Sequence, residues 1–255
     1  MFVNPSSPRH PSLHEESHPA SSLPSSEVLR HKLSAKYDVV EKEFFIAGRS
    51  VTLLKVRDTN VLVDAIDPET FSDDERLPYW ADVWTSSLEL ARWCMQDAEI
   101  RGKRVLELGC GLGLAGIAAA QSGATVTFSD YEADALDFVR YNVRRNLPAH
   151  VVESGIDVIQ FDWRRPPLLE PFDVVIAADV VYEQRMFTPI KHVLSTLVAP
   201  SGIAVMTEPG RSVGQMFFAS LKDSDFSVST EITSVESDEK ITPVVRAMIQ
   251  RRQPV

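Results

Sequence analysis

Seven residues, Glu107-Leu108-Gly109-Cys110-Gly111-Leu112-Gly113, constrain this chain more than any other segment. Arg104–Leu108 reads as a strand and Leu114–Gln121 as a helix, so three alternate glycines occupy a strand-to-helix turn. Glycine lets backbone approach a ligand closely, and a helix N-terminus presents unpaired N–H groups. The next strand, Thr125–Phe128, runs into Ser129-Asp130, and Asp130 stands 21 residues after Gly109. A carboxylate at the carboxyl end of a second strand is placed to accept hydrogen bonds from both hydroxyls of a ribose. A glycine turn alone serves many ordinary tight turns. The carboxylate downstream is what makes it a nucleoside signal.

Two ligand classes fit this pair, a dinucleotide and S-adenosylmethionine. Dinucleotide loops space their glycines G-x-G-x-x-G and set the helix dipole against a pyrophosphate. Here the spacing is G-x-G-x-G, with Leu114 where the third dinucleotide glycine belongs. Glu107 would repel a pyrophosphate but suits the ammonium end of S-adenosylmethionine, directly or through water. The balance therefore favours S-adenosylmethionine. Cys110 has no histidine or second cysteine near it in sequence, so it reads as a small loop residue rather than a nucleophile.

Elements alternate around the loop. Leu88, Ala91 and Met95 keep helical spacing behind Ser86-Ser87-Leu88-Glu89, a capping-box pattern. Glu132–Arg145 reads as a helix, Val158–Phe161 and Phe172–Ala177 as strands, Arg185–Leu197 as a helix and Ile203–Met206 as a strand. Phe226 to Ile232 and Val244–Ile249 form a terminal antiparallel hairpin. The fold expected is α/β, a doubly wound Rossmann-like sheet closed by that hairpin, spanning residues 77–255. Residues 36–76 read as a small N-terminal β-appendage of two or three strands around a Gly48-Arg49 turn, ending in the apolar stretch Val61–Ile66 and an acidic loop. Residues 1–35, rich in Ser, Pro and His, read as a disordered tail.

Composition narrows the function classes. With 26 basic and 36 acidic side chains, the net charge of −10 opposes attraction to phosphate backbones and anionic lipid. Two cysteines, and six histidines of which four lie in the first 31 residues, leave no metal site to expect. No apolar run approaches the roughly 18 residues of a membrane span, and no secretory signal opens the chain. A cytoplasmic, monomeric enzyme is the expectation.

The residues around the loop carry a more specific likeness. Trp80-Ala81-Asp82-Val83-Trp84, Asp162-Trp163 and Ala177-Ala178-Asp179-Val180-Val181-Tyr182, together with Glu107–Gly113 and Asp130, resemble the small protein-lysine methyltransferases of the seven-strand class I fold. The likeness covers residues 77–210, and the D-x-x-Y signature Asp179–Tyr182 is its most specific part. Pro78-Tyr79-Trp80 and Glu208-Pro209-Gly210-Arg211 lean toward the branch that modifies the electron-transfer flavoprotein β subunit. The resemblance implies that Trp84, Gly109, Gly111, Asp130, Trp163 and Ala178 contact S-adenosylmethionine, with Glu107 and Gly113 completing the loop. Trp163 offers an aromatic face to the adenine, and Asp162 an acceptor to its exocyclic amine. Asp179 and Tyr182 would form the acceptor site, Asp179 orienting a lysine amine, although a helix-capping role also fits Asp179.

The expected partner is a lysine-bearing protein. A small-metabolite methyltransferase and a non-catalytic module of the same fold are the alternatives. A nucleic-acid methyltransferase is disfavoured by charge and by Ala178-Asp179-Val180-Val181-Tyr182 standing where an N-P-P-Y type motif would be.

Overall fold

Strand β4 sits at the centre of the sheet because its residues must be buried on both faces. In this computed structural model, which describes residues 18–19, 24–66, 77–97, 100–237 and 240–252, the elements in chain order are β1 (His18–Pro19), α1 (Ser26–Lys36), β2 (Val39–Ile46), β3 (Arg49–Val56), α2 (Asn60–Asp64), α3 (Thr85–Gln96), β4 (Arg104–Leu108), α4 (Leu114–Gln121) and β5 (Thr125–Asp130). There follow α5 (Ala133–Asn146), α6 (Ala149–Gly155), β6 (Ile156–Gln160), β7 (Phe172–Ala178), α7 (Phe187–Leu197), β8 (Val198–Glu208), α8 (Ser212–Lys222), β9 (Phe226–Ser237) and β10 (Lys240–Arg251).

The main sheet has the order β1-β6-β5-β4-β7-β8-β10-β9. From β6 to β8 the strands are parallel. β10 inserts antiparallel between β8 and β9, which is the expected terminal hairpin. Alternation along β4 sorts the core into two layers. Val105 joins α3, α4 and α5 on one face, whereas Leu106 and Leu108 join α7 and α8 on the other. Strand order reverses at β4, with β5 on one side and β7 on the other, so a crevice opens beyond their carboxyl ends.

The N-terminal region departs from expectation. Residues 26–35, placed by composition in a disordered tail, belong with Lys36 to α1, with Leu29 and Leu33 buried. Its other contacts are charged: Lys32 pairs with Asp137 at 2.5 Å and Lys36 with Asp134 at 2.6 Å, both on α5. A polar average over the window hides two well-spaced leucines. Residues 1–17 and 20–23, and the acidic stretch 67–76, lie outside the described residues.

The β-appendage has two strands, joined through Ala47 and Gly48, both at positive φ, rather than through Gly48-Arg49. Within the apolar stretch Val61–Ile66, a short helix replaces a third strand, and Val61 and Val63 are exposed. Two asparagines one turn apart on α5 satisfy the outer edge of β3. Asn142 accepts the Leu54 N–H at 2.7 Å and Asn146 accepts the Thr52 N–H at 2.8 Å. Their amides return hydrogen bonds to the Leu54 and Thr52 carbonyls, and Asn142 also donates to the Leu112 carbonyl at 3.0 Å. Leu53 and Leu54 thereby share one core with α4 and α5.

The capping box does not form. α3 begins at Thr85 after Trp84, and no side chain caps it. Glu89 is fully buried and paired with Arg246 of β10 at 2.7 Å and Arg92 at 2.5 Å, because a buried carboxylate requires a partner. Besides α1 and α2, two further helices, α6 and α8, lie outside the segments whose periodicity predicts a helix. Leu33→Ala should cost about 2–5 kcal/mol in chemical denaturation, the range for deleting a buried leucine. An unchanged midpoint would show that α1 is not part of the folded unit.

Candidate active site

The loop after β4 turns through three left-handed glycines, Gly109 (φ 61°), Gly111 (φ 51°) and Gly113 (φ 82°). A Cβ on Gly109 would stand 2.9 Å from the Trp163 ring and 3.0 Å from Val180, and one on Gly111 would stand 3.1 Å from the Trp80 carbonyl oxygen. The floor of the crevice therefore has no room for side chains. Asp130 ties the turn to β5: its carboxylate accepts the Gly111 N–H at 2.9 Å and the Glu132 N–H at 3.0 Å.

Ten of the eleven candidate residues line one cavity of about 290 Å³ at the carboxyl edge of the sheet. Gly113 is the exception. The space at its Cβ position is taken by Phe128 and Val139, each 3.2 Å away, so it starts α4 and packs on the core rather than facing the cavity. Sequence reasoning missed Glu132, Asp82, Arg164 and Arg185 in the lining. Glu132 had a signal, its place two residues beyond Asp130. Asp82 stands inside the Trp80–Trp84 segment, Arg164 directly after Asp162-Trp163, and Arg185 in the 3-10 turn before α7.

Electrostatics favour a cation. Seven carboxylates line the cavity against two arginines. Burial pushes Glu107 up to about 8, although the Gly116 amide on α4, donating at 3.0 Å, opposes this. Burial likewise lifts Asp130 to about 6 against the pull of the Glu132 and Gly111 amides. An incoming positive charge would relieve both; an anion would aggravate them. Cys110 is no nucleophile, since burial, with Asp130 and Glu107 nearby, pushes its thiol well above its ordinary value.

Aromatic side chains form the walls. Trp163 is half-buried, and its indole N–H is buried without a protein partner. Asp162 beside it is held by Arg164 at 2.7 Å. Tyr79 meets both Trp84 and Tyr182 edge-on, at ring separations of 5.8 and 5.3 Å, and all three are partly exposed at the mouth. Trp84 is fixed by its indole N–H on the Tyr79 carbonyl at 2.8 Å. Trp80 instead packs inward against Tyr37 and Phe138. Beyond Ala178, Asp179 sits in the left-handed region (φ 57°), its amide donating to the Thr207 carbonyl at 2.8 Å. The next helical residue is Gln184, so Asp179 caps no helix. Its carboxylate pairs with Arg211.

The close glycine floor, the buried carboxylate of Asp130, the unpartnered Trp163 N–H and the negative lining fit S-adenosylmethionine. Gly109 and Gly111 would let it approach the backbone, Asp130 would hold its ribose and Trp163 would cover its adenine. Fold and site together define a class I S-adenosylmethionine-dependent methyltransferase. The lysine methyltransferase family profile matches residues 71–224. The zebrafish (Danio rerio) protein N-lysine methyltransferase METTL21A is 34% identical over 139 residues, covering 53% of this chain and 63% of that one. The zebrafish electron transfer flavoprotein beta subunit lysine methyltransferase is 30% identical over 142 residues, covering 53% and 51%. The match thus spans less than two thirds of either relative. Magnesium protoporphyrin IX methyltransferase (ChlM) from Synechocystis PCC 6803 with bound SAH shares the fold at a TM-score of 0.51, with 18% identity over 77% of this chain and all of that one. The chain belongs to the lysine methyltransferase family. Among the described residues, no helix is long and apolar enough to cross a membrane.

Asp130→Ala should weaken S-adenosylmethionine binding by about 1.5–3 kcal/mol, as for hydrogen bonds to a charged group. In the parent protein, affinity should fall as pH drops through about 6, where Asp130 gains a proton and loses its charge. Titration calorimetry across pH 5–8 reads both, and a flat profile with unchanged affinity in the variant would remove Asp130 from the site.

Proposed function

We propose that the protein transfers the methyl group of S-adenosylmethionine to a lysine side-chain amine of a protein, acting as a cytoplasmic monomer and not on nucleic acid. The observation that carries the acceptor reading is Asp179, whose side chain is only 8% exposed yet lines the cavity behind the rim of Tyr79, Trp84 and Tyr182. The family and the names of the two relatives support lysine as the acceptor. The charge of −10 supports a protein rather than a nucleic-acid partner. Two buried free thiols suit a reducing compartment.

When bound, the cofactor supplies a methyl group already activated on a sulfonium. A lysine amine starts as an ammonium, with an ordinary pKa of about 10.4, and only its neutral form has a lone pair to attack with. Desolvation inside the rim and the nearby positive charge both favour loss of that proton to water. Asp179 accepts a hydrogen bond from a remaining N–H and aligns the lone pair with the methyl carbon, a proximity effect. With the cofactor bound, the N–C bond would form as the C–S bond breaks, and the surplus proton on nitrogen would leave to solvent. Tyr182 is pushed up to about 12 by burial and by Glu183, so it works as a neutral phenol and not as a base.

Incubation with methyl-labelled cofactor and a cell lysate should label a protein at lysine. Label confined to small molecules would favour a metabolite acceptor instead. Asp179→Asn should keep cofactor affinity while slowing transfer at least tenfold, about 1.4 kcal/mol of barrier. Transfer at the parental rate would remove Asp179 from the acceptor site.

A further inference from the structure

Asp179 and Arg211 lie 32 residues apart and meet because β7 and β8 run side by side, Ala178 opposite Thr207. Two guanidinium nitrogens face the two carboxylate oxygens: Nη1 contacts Oδ1, and Nη2 lies 3.4 Å from Oδ2. The turn that delivers Arg211 is itself built. Glu208, 2% exposed, accepts the Arg211 amide at 2.8 Å. Gly210 turns the chain at φ 81°. The Glu208 carboxyl carbon lies 2.6 Å from where a Cβ on Gly214 would be, so α8 leaves that space for the carboxylate. Glu208 therefore sets the turn, the turn sets Arg211, and Arg211 meets Asp179.

We propose that Arg211 is a positioning residue that keeps the Asp179 carboxylate ionised and aimed at the acceptor amine, with Glu208 holding Arg211 in place. The proposal rests on the reading of Asp179 as the partner of that amine. Asp179 is shielded from water, and burial raises its pKa while Arg211 opposes the rise. Arg211 and Glu208 face it from the end of β8, and Tyr182, Glu183, Tyr79 and Asp130 line the same cavity. Arg211 is the cation paired with it. Without that charge Asp179 takes up its proton at a higher pH, and a protonated carboxyl is a poorer partner for an amine.

The test uses two cofactor analogues on the full chain: S-adenosylhomocysteine, and sinefungin, which carries a primary amine where the sulfonium methyl stands. Calorimetry from pH 5 to 9 gives the affinity gain of sinefungin over S-adenosylhomocysteine, a gain that needs ionised Asp179. Arg211→Ala should move the midpoint of that gain up by about one pH unit or more, as expected for losing an opposite charge in contact. Arg211→Lys should restore it in part. Affinity for S-adenosylhomocysteine should stay within about twofold of the parent, which reports an intact fold. If Arg211→Ala loses that binding, Arg211→Gln carries the same expectation. A midpoint that stays put, while Asp179→Asn abolishes the gain, overturns the role of Arg211 and leaves that of Asp179 standing. A gain that survives Asp179→Asn overturns both.

Discussion

The carboxylate of Asp130 settles the geometry on which the rest of the site depends. It terminates β5, and through the Gly111 and Glu132 amides it sets both the second turn of the glycine loop and the start of the approach to α5. Backbone amides screen its charge but do not neutralise it, so the buried group stays easier to protonate than a free aspartate. Glu107 is in the same position at the end of β4, held by the N-terminus of α4. Two adjacent strand ends thus store an unmet demand for positive charge, and a sulfonium cofactor answers it. The same demand explains why a pyrophosphate ligand would be a poor fit to this glycine loop.

Around that centre the chain adds a second layer of support. Asn142 bridges β3 and the carbonyl of Leu112, so the N-terminal hairpin is coupled to the glycine loop through one buried amide. Glu89, with Arg246, ties the helix that begins behind Trp84 to the terminal hairpin. These contacts give the N-terminal hairpin and the terminal hairpin a part in holding the cavity walls, although neither supplies the cofactor cradle. Rigid elements placed behind a site hold its groups in a productive arrangement.

The Asp179 side of the cavity obeys a different logic. Its carboxylate is set by a left-handed residue at a strand end and by the pairing of two parallel strands, not by a glycine-rich turn. Strain in a non-glycine residue persists where neighbours fix it, and here the Thr207 carbonyl does so. The aromatic rim of Tyr79, Trp84 and Tyr182 adds apolar surface at the mouth, with two phenol hydroxyls set in it.

Local patterns were legible wherever one segment carries its own constraint. The turn Gly109–Gly113, its flanking strand and helix, and the carboxylate of Asp130 follow from backbone conformation and from strand length. The D-x-x-Y segment pointed to Asp179 and Tyr182 through resemblance. By contrast, Glu89 looked like a capping residue and became a buried ion pair, and α1 looked too polar to fold until two leucines found the face of α5. Gly113 belonged to the motif yet faces the core. The pairing of Arg211 with Asp179 exists only because β8 lies beside β7. The glycine turn and the strand-end carboxylate of Asp130 could be read from the chain alone, since a tight turn and a nearby strand end are short-range properties. Which distant charges meet, and which glycine faces the cavity, emerged only on folding, because burial and strand order act between residues far apart in the chain.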